Sequence, residues 1–340
     1  MELLCIAGTG RNGATLLTRM LGELPGYVGV GELGFLWDKG LIKNQDCSCG
    51  LPFLSCPFWE QVGKEAFGGW DQVDARRITM LRESASLRRR HLSLWMSLPF
   101  LLSPRLSPTY RRQLLDYAEV MGRLYRGIHA ASGGRIIVDS MKRPYHVLLS
   151  RHMPGIDLSV AHLVRDARGV VYSRFKVVDR RQATVATDLL RVRAQAARKG
   201  ATTRGGHPPI PSAFHWLSVN LAFQMVLRRL SIPTSVVRYE DLVQKPRQIL
   251  RQLTGAADDD LVFVRENEVR GNDVDLPPGH LVAGNQFRLS SGHLPLREDD
   301  AWRTGLARRQ RRAVELLTWP LMRRYAYLGR RARATDSVTP

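Results

Sequence analysis

Short apolar runs followed by amphipathic segments recur along the chain. The first run, residues 3–7, reads as a buried strand, and after a glycine-rich turn residues 14–24 carry apolar positions at helical spacing. Further strand-then-helix units follow the same order: 135–139 with 141–151, 157–164 with 166–177, and 234–239 with 246–254, the last strand preceded by an amphipathic helix at 213–230. Strands that alternate with helices over short loops predict an α/β fold, a doubly wound parallel sheet flanked by helices.

Residues 45–130 interrupt this alternation and are predicted to form an insertion. Its first part contains cysteines, and its second part is predicted to be helical. Within it, the apolar stretch 92–102 is flanked by arginines, and two interpretations stay open. It is either a buried helix hairpin or a lid over the acceptor, suited to a lipid-like or aromatic molecule or to a membrane surface. The basic stretch 180–206 reads as a flexible loop or lid. We predict one domain over residues 1–330 and a disordered tail at 331–340.

The charge balance is strongly basic, because 51 Lys and Arg against 31 Asp and Glu give a formal net charge of +20. Several explanations fit this positive charge: a merely arginine-rich surface, a polyanionic cofactor, an anionic acceptor, a membrane surface and nucleic acid. Charge alone does not distinguish between them. The sequence contains no recognition-helix motif, RNP-like aromatic pattern or zinc finger, which argues against nucleic acid as a partner. No secretory signal and no apolar run of about twenty residues is found, so we expect a cytoplasmic enzyme.

Residues 8–15, GTGRNGAT, have the spacing of a phosphate loop and stand between the first strand and the first helix. Glycines there let successive backbone N–H groups face one anion, and the helix N-terminus adds positive potential. Ala14 occupies the place of the lysine that precedes Ser or Thr in a nucleoside-triphosphatase loop. We also expect no acidic strand end to hold Mg²⁺. The loop is therefore predicted to bind phosphate but to serve a kinase poorly.

This loop resembles the 5′-phosphosulfate loop of the sulfotransferases that use 3′-phosphoadenosine 5′-phosphosulfate (PAPS), in which Lys or Arg is commonly followed by Ser-Gly-Thr-Thr. Asn12 and Ala14 depart from the commoner Ser and Thr, and each removes one hydroxyl donor. The resemblance is closer to the tyrosylprotein and carbohydrate branches and runs discontinuously from about residue 3 to about residue 327. It implies a P-loop-like fold, PAPS as cofactor and no metal. The loop residues implied to bind the cofactor are Arg11, Asn12, Gly13, Ala14 and Thr15.

Residues 163–174, LVRDARGVVYSR, resemble the segment of the same family that holds the 3′-phosphate of the nucleotide. The resemblance implies that Arg165, at a strand end, and Ser173, on the next helix, bind this phosphate. It also implies that Tyr239 contacts the nucleotide. The sequence GNQFR at 284–288 resembles the late loop that closes over the cofactor phosphates, with Arg288 as the direct contact.

Transfer of a sulfuryl group needs a base for the acceptor's proton and cations near the leaving phosphate. The resemblance implies Glu32 as the base, with a carboxylate that merely stabilises a helix N-terminus as the alternative. It implies that Lys142 stabilises the leaving oxygen, with an ordinary surface lysine as the alternative, and that Arg11 flanks the sulfuryl group. A histidine base serves the cytosolic phenol and steroid branch, but no histidine here has a comparable context.

Three of the four cysteines, Cys47, Cys49 and Cys56, lie close together in the sequence. They could be ligands of a zinc ion, but the fourth ligand is not identified and paired C-x₂-C units are absent. We therefore prefer a local disulfide or free thiols, and we predict no metal in the active site.

The sequence predicts a sulfotransferase that moves a sulfuryl group from PAPS to a hydroxyl or an amine of a small-molecule, glycan or lipid-like acceptor. The alternatives are a P-loop kinase acting on a small molecule, a basic nucleic-acid-binding module, and a nucleotide-binding protein without catalysis. The predicted partners are the nucleotide donor and the acceptor, and a lipid-like acceptor or a membrane surface is one interpretation that stays open.

Overall fold

The computed structural model describes residues 1–86, 107–140, 142–175, 207–266 and 271–328. The predicted lid stretch 92–102, the basic stretch 180–206 and the tail 331–340 lie outside the described residues. The chain forms two compact units, Met1–Arg165 with Ser218–Glu298, and Asp166–Leu217 with Asp299–Pro340. The single domain over 1–330 stays a prediction.

The first unit contains a five-stranded parallel sheet with the strand order β2-β3-β1-β4-β5. Its strands are β1 Glu2–Ala7, β2 Tyr27–Gly31, β3 Ile136–Asp139, β4 Asp157–Val164 and β5 Thr234–Arg238. The predicted parallel α/β sheet is confirmed. Because all five strands run in one direction, their carboxyl ends lie along one edge, where ligands bind in sheets of this class.

Helices cover both faces of this sheet, as its alternating side chains require. Leu3 and Cys5 of β1 face one buried apolar cluster, whereas Leu4 and Ile6 face another. The helices, in chain order, are α1 Ala14–Gly22, α2 Pro57–Phe67, α3 Ala75–Ala85, α4 Pro108–Ala131, α5 Pro144–Ser150, α6 Ala167–Phe175, α7 Pro209–Leu230, α8 Tyr239–Gln244, α9 Pro246–Thr254, α10 Trp302–Gly305 and α11 Arg308–Arg324. Helices α2, α3 and α4 form the described part of the predicted helical insertion.

Two features of the first unit were not predicted. The edge strand β2 was missed because its sequence, YVGVG, contains two glycines, which weaken a strand signal. A small antiparallel sheet, made of β6 Val264–Arg265, β7 Asp273–Leu276 and β8 Gly292–Pro295, was missed because its strands are very short. Its side chains Val264, Val274 and Leu276 join the apolar cluster that covers α1.

The second unit is built around α6 and α11. Arg168 at the start of α6 lies 2.6 Å from the carboxylate of Asp166 and 2.7 Å from that of Glu315 on α11. Its guanidinium also lies 4.1 Å from the ring centroid of Trp302 on α10. Among the described residues of the chain, no helix is both long and apolar enough to cross a lipid bilayer.

Candidate functional site

The glycine-rich loop between β1 and α1 is tied to β4 by Asn12. This side chain is 1% exposed, and its Nδ2 donates to the Leu163 carbonyl at 2.7 Å while its Oδ1 accepts from the Ala14 N–H at 3.2 Å. Gly8 has a φ of 138°, and a Cβ there would lie 2.3 Å from the Leu163 carbonyl oxygen. The loop backbone is therefore fixed. Because the amide of Asn12 is engaged in this way, any contact it makes with an anion would come from its main chain.

Arg165, directly after β4, reaches this loop. It is 6% exposed, and its Nη1 donates to the carbonyl oxygen of Arg11 at 3.0 Å. Its guanidinium lies 4.6 Å from the ring centroid of Tyr239, the first residue of α8. A Cβ at Gly13 would lie 2.4 Å from Cδ2 of the same tyrosine, so only glycine fits beneath the ring. The structure thus brings the predicted loop residues, Arg165 and Tyr239 together.

The second predicted 3′-phosphate residue, Ser173, is buried on α6 of the second unit. Its pairing with Arg165 stays a prediction.

Glu32 and Lys142 form an ion pair, with Lys142 Nζ 2.5 Å from Glu32 Oε1. Glu32 follows β2 directly, and Lys142 lies shortly after β3, the neighbouring strand in the sheet. The two side chains are 11% and 20% exposed, respectively. The sequence placed each residue by a separate motif, and the structure makes them neighbours at the carboxyl edge of the sheet.

A buried carboxyl group, Asp139, lies close enough to Glu32 for their charges to interact. It ends β3, is completely buried, accepts a hydrogen bond from the Tyr125 hydroxyl at 2.8 Å, and lies 3.4 Å from the backbone N–H of Leu33. Burial, with a smaller contribution from the charge of Glu32, raises the pKa of Asp139 to about 7. Asp139 is therefore an acidic residue at a strand end, and the expectation that no such residue holds Mg²⁺ stays a prediction. However, both oxygens of Asp139 already have protein partners, and neither is exposed to solvent.

Residues 276–290, called the late segment below, lie against Glu32 and the helix α1 that follows the phosphate loop. Val282 pairs with the end of β2, since the N–H of Glu32 donates to its carbonyl at 3.0 Å and its own N–H donates to Val30 at 3.0 Å. A Cβ at Gly284 would lie 3.2 Å from Glu32 Oε1 and 3.6 Å from Thr15 Oγ1. Thr15 and Glu32 therefore border the same small space. Sequence analysis did not predict this strand-like pairing.

Arg19 of α1 is buried beneath the late segment and donates hydrogen bonds to its main chain. It is 2% exposed, and its guanidinium donates to the carbonyl oxygens of Leu276 at 3.1 Å and Pro277 at 3.0 Å, and also to that of Ser290. A buried cation that satisfies several main-chain acceptors fixes the course of the segment that carries them. Sequence analysis missed this residue because an arginine inside a helix gives no sign of its distant partners.

Arg288, on a 3₁₀ turn at Gln286–Leu289, is 7% exposed and donates from Nη2 to the Asp46 carbonyl at 2.9 Å. Its Nε is buried and has no hydrogen-bond partner in the described part of the protein. Burial lowers the pKa of Arg288, whereas the charges of Asp46 and Glu32 raise it. Burial likewise lowers the pKa of Lys39, whose nearby charges include Glu32, Lys142 and Arg288. Cations therefore surround Glu32, although sequence analysis did not single out Lys39.

The histidines of the core do not provide a base. Burial lowers the pKa of His146 to about 3 and that of His162 to about 4. His162 is also engaged with the Asn220 side chain at 3.1 Å. Both rings are therefore neutral at physiological pH and poor proton acceptors.

No family model matches the sequence, and no curated protein matches it. The solved structures that it resembles include sulfotransferase STF1 from Mycobacterium tuberculosis, at 15% identity and a TM-score of 0.35, with 76% of this chain and 69% of that chain covered. They also include sulfotransferase STF9 from Mycobacterium avium, at 12% identity and a TM-score of 0.36, with 74% of this chain and 62% of that chain covered.

Proposed function

We propose that the protein is a sulfotransferase that uses PAPS as donor and a hydroxyl or an amine as acceptor. The observation that carries the proposal is the contact between Arg165 and the main chain of Arg11, because it joins the two anion-binding motifs at one loop. A ligand with phosphate groups at two separate positions needs two such cation-bearing strand ends side by side. The ion pair of Glu32 and Lys142 at the same edge of the sheet adds an acid–base group.

The residues present fit an anionic nucleotide. A Cβ at Gly10 would have no atom within 4 Å, so open space lies over the middle of the loop. The buried Nε of Arg288 has no acceptor among the described residues, and an anion would supply one. Arg165, Tyr239 and the backbone of residues 11–15 would hold the nucleotide, with Ser173 proposed as a further contact to its 3′-phosphate.

Each charged residue then has a role in the transfer. Glu32 takes the proton of the acceptor as the acceptor oxygen or nitrogen bonds to sulfur. The bond between sulfur and the bridging oxygen breaks, and its electron pair remains on the phosphate of adenosine 3′,5′-bisphosphate. Lys142 stabilises the charge that develops on this oxygen, and Arg11 flanks the sulfuryl group. Because Lys142 is already paired with Glu32, acceptor and donor must separate these two side chains on binding.

The rival function, a small-molecule kinase, is less well supported. Ala14 cannot replace the phosphate-binding lysine of a nucleoside-triphosphatase loop. Asp139 stands at a strand end, but it is fully buried and hydrogen-bonded to Tyr125, so it would need to move to approach Mg²⁺. We further propose a cytoplasmic location and a small-molecule, glycan or lipid-like acceptor, the last of these at a membrane surface.

Thermal shift with two ligands distinguishes these functions. Adenosine 3′,5′-bisphosphate without Mg²⁺ should raise the melting temperature in a concentration-dependent way, since a ligand that binds only the folded state stabilises it. ATP with Mg²⁺ should have a smaller effect. The opposite order would favour the kinase, and no response to either ligand would contradict a nucleotide site. A screen of acceptors with radiolabelled PAPS would then identify the substrate class.

A further inference from the structure

Cys47, Cys49, Cys56 and His280 form a compact cluster in the first unit, although His280 is far from the cysteines in sequence. One ligand atom from each residue lies within 4.8 Å of all the others. The Sγ atoms of Cys49 and Cys56 are 3.6 Å apart, and Nδ1 of His280 lies 3.4 Å from Cys56 Sγ and 3.9 Å from Cys47 Sγ. Sequence analysis could not identify this fourth residue, because the chain returns to the cysteines only through the late segment.

These separations are those of ligands around one ion. Tetrahedral zinc with Zn–S bonds of about 2.3 Å and a Zn–N bond of about 2.0 Å places sulfurs about 3.8 Å apart and sulfur about 3.5 Å from nitrogen. A disulfide would instead need sulfurs about 2.05 Å apart. None of Cys47, Cys49 and Cys56 forms a disulfide. The observed separation of 3.6 Å between Cys49 and Cys56 therefore fits metal ligands better than the local disulfide preferred from sequence.

The surroundings hold the four residues in place independently of any ligand. The cysteine segment turns back on itself, with the N–H of Cys47 donating to Leu51 at 2.8 Å and that of Gly50 donating to Cys47 at 3.0 Å. The His280 ring stacks on Phe58, with ring centroids 4.7 Å apart, and its carbonyl accepts from Trp59 Nε1 at 3.0 Å. Fixed ligands on two chain segments are what a closed structural metal site requires.

We propose that Cys47, Cys49, Cys56 and His280 bind one structural Zn²⁺ ion through three thiolates and the Nδ1 of the histidine. Three sulfurs and one imidazole in a tetrahedral arrangement are typical of zinc, and four protein ligands leave no open position for a reacting water. The sequence-based preference for a disulfide or free thiols is replaced by this proposal, because the structure supplies the missing fourth ligand.

The position of the cluster gives the ion a structural task. Cys47 is preceded by Asp46, whose carbonyl accepts from Arg288, and His280 lies two residues before Val282, which pairs with the end of β2 beside Glu32. The ion would thus link the late segment, through His280, to the start of the insertion, through the cysteines. Both segments contact residues of the candidate site. This site would exist whether or not the proposed sulfuryl transfer is correct.

Metal analysis of the full chain, purified without a histidine tag or chelators, tests the proposal. We expect about one zinc per wild-type chain, and less than about a tenth of that in Cys56→Ala and in His280→Ala, because a site that loses one of four ligands binds zinc far more weakly. Cys5→Ala is the matched control: this buried thiol lies on β1, outside the cluster, and its removal should leave the zinc content unchanged.

A second measurement uses the wild-type chain alone, so that it does not depend on whether the variants fold. After zinc is exchanged for Co²⁺, the spectrum should show thiolate-to-cobalt charge transfer together with the intense visible bands of a tetrahedral ion. Wild-type protein that lacks metal and contains a Cys49–Cys56 disulfide would overturn the proposal. It would also be overturned by iron in place of zinc, or by equal loss of zinc in Cys5→Ala and Cys56→Ala. Because the readout is metal content, none of these results depends on sulfotransferase activity.

Discussion

The carboxyl edge of the sheet has two sides that are built differently. On one side, after β1, β4 and β5, Asn12 and Arg165 donate to main-chain carbonyls and hold the loop backbone. On the other side, after β2 and β3, Glu32 and Lys142 bind each other, and the late segment contacts Glu32. The first side is a loop with a fixed backbone, whereas the second contains the group that could accept a proton.

This difference suggests a division of labour. Fixed donors bind an anion without changing protonation state, and so contribute mainly to affinity. In a pair of a carboxylate and an ammonium group, the carboxylate can take a proton from the acceptor and the ammonium group can stabilise a leaving oxygen. Such a pair contributes mainly to rate. Substitutions on the two sides should therefore separate nucleotide binding from turnover.

Glu32→Gln should have the largest effect. Without the carboxylate the acceptor keeps its proton, and turnover should fall by about 10²–10⁴-fold, the usual contribution of general base catalysis. The dissociation constant for adenosine 3′,5′-bisphosphate should change little. Glu60→Gln, which breaks the exposed pair of Glu60 with Lys64 on α2, is the matched control. Near-normal turnover of Glu32→Gln would remove Glu32 from the mechanism.

Lys142→Ala should follow, with a loss of turnover of about 10²–10³-fold, as when a single donor to a developing oxyanion is removed. The dissociation constant for the nucleotide product should change much less than the rate. Lys64→Ala, whose side chain is 59% exposed in a surface ion pair, should leave both quantities unchanged. If rate and affinity fell equally, Lys142 would belong to binding alone.

Arg165→Ala should act on affinity instead. A charge-assisted hydrogen bond contributes about 1.5–3 kcal/mol, so the dissociation constant for adenosine 3′,5′-bisphosphate should rise by about 10–100-fold in titration calorimetry. Turnover at saturating donor should fall less than in Glu32→Gln. Arg76→Ala, which removes an exposed arginine on α3, controls for the loss of positive charge. If Arg165→Ala left this dissociation constant unchanged, Arg165 would not be part of the nucleotide site, and its contact with the phosphate loop would be structural only.

The two sides also differ in how far the sequence predicts them. Residues 8–15 and 157–165 carry their signal locally, because a strand, its turn and its helix are contiguous, and the structure confirms the turn and both strands. Glu32 and Lys142 were found only through resemblance to a family. Their ion pair depends on β2 lying beside β3, and the glycine-rich β2 was not predicted. Asp139, Arg19 and His280 were missed because their partners are distant in sequence.

Asp139→Asn tests the protonation state of the buried carboxyl group near Glu32, through its effect on the free energy of unfolding. The pKa of Asp139 is about 7 in the folded protein, above the ordinary value near 4 of an unfolded chain. Between these values the folded state binds more protons than the unfolded state, so this group makes the protein less stable as pH rises from about 4 to about 7, and contributes no further change above that. The free energy of unfolding of the wild type, relative to Asp139→Asn, should therefore fall by on the order of 1 kcal/mol per pH unit across that window.

Urea titrations of both proteins at several pH values measure this difference, and Asp116→Asn, an exposed carboxyl group on α4, is the control whose difference from wild type should stay nearly constant. A constant difference for Asp139→Asn as well would show that Asp139 is ionised throughout the window. Asp139 would then be a buried anion beside Glu32. The reactive side would contain two negative charges that Lys142 and Lys39 must balance, and the contrast with the fixed donors of the phosphate loop would be larger still.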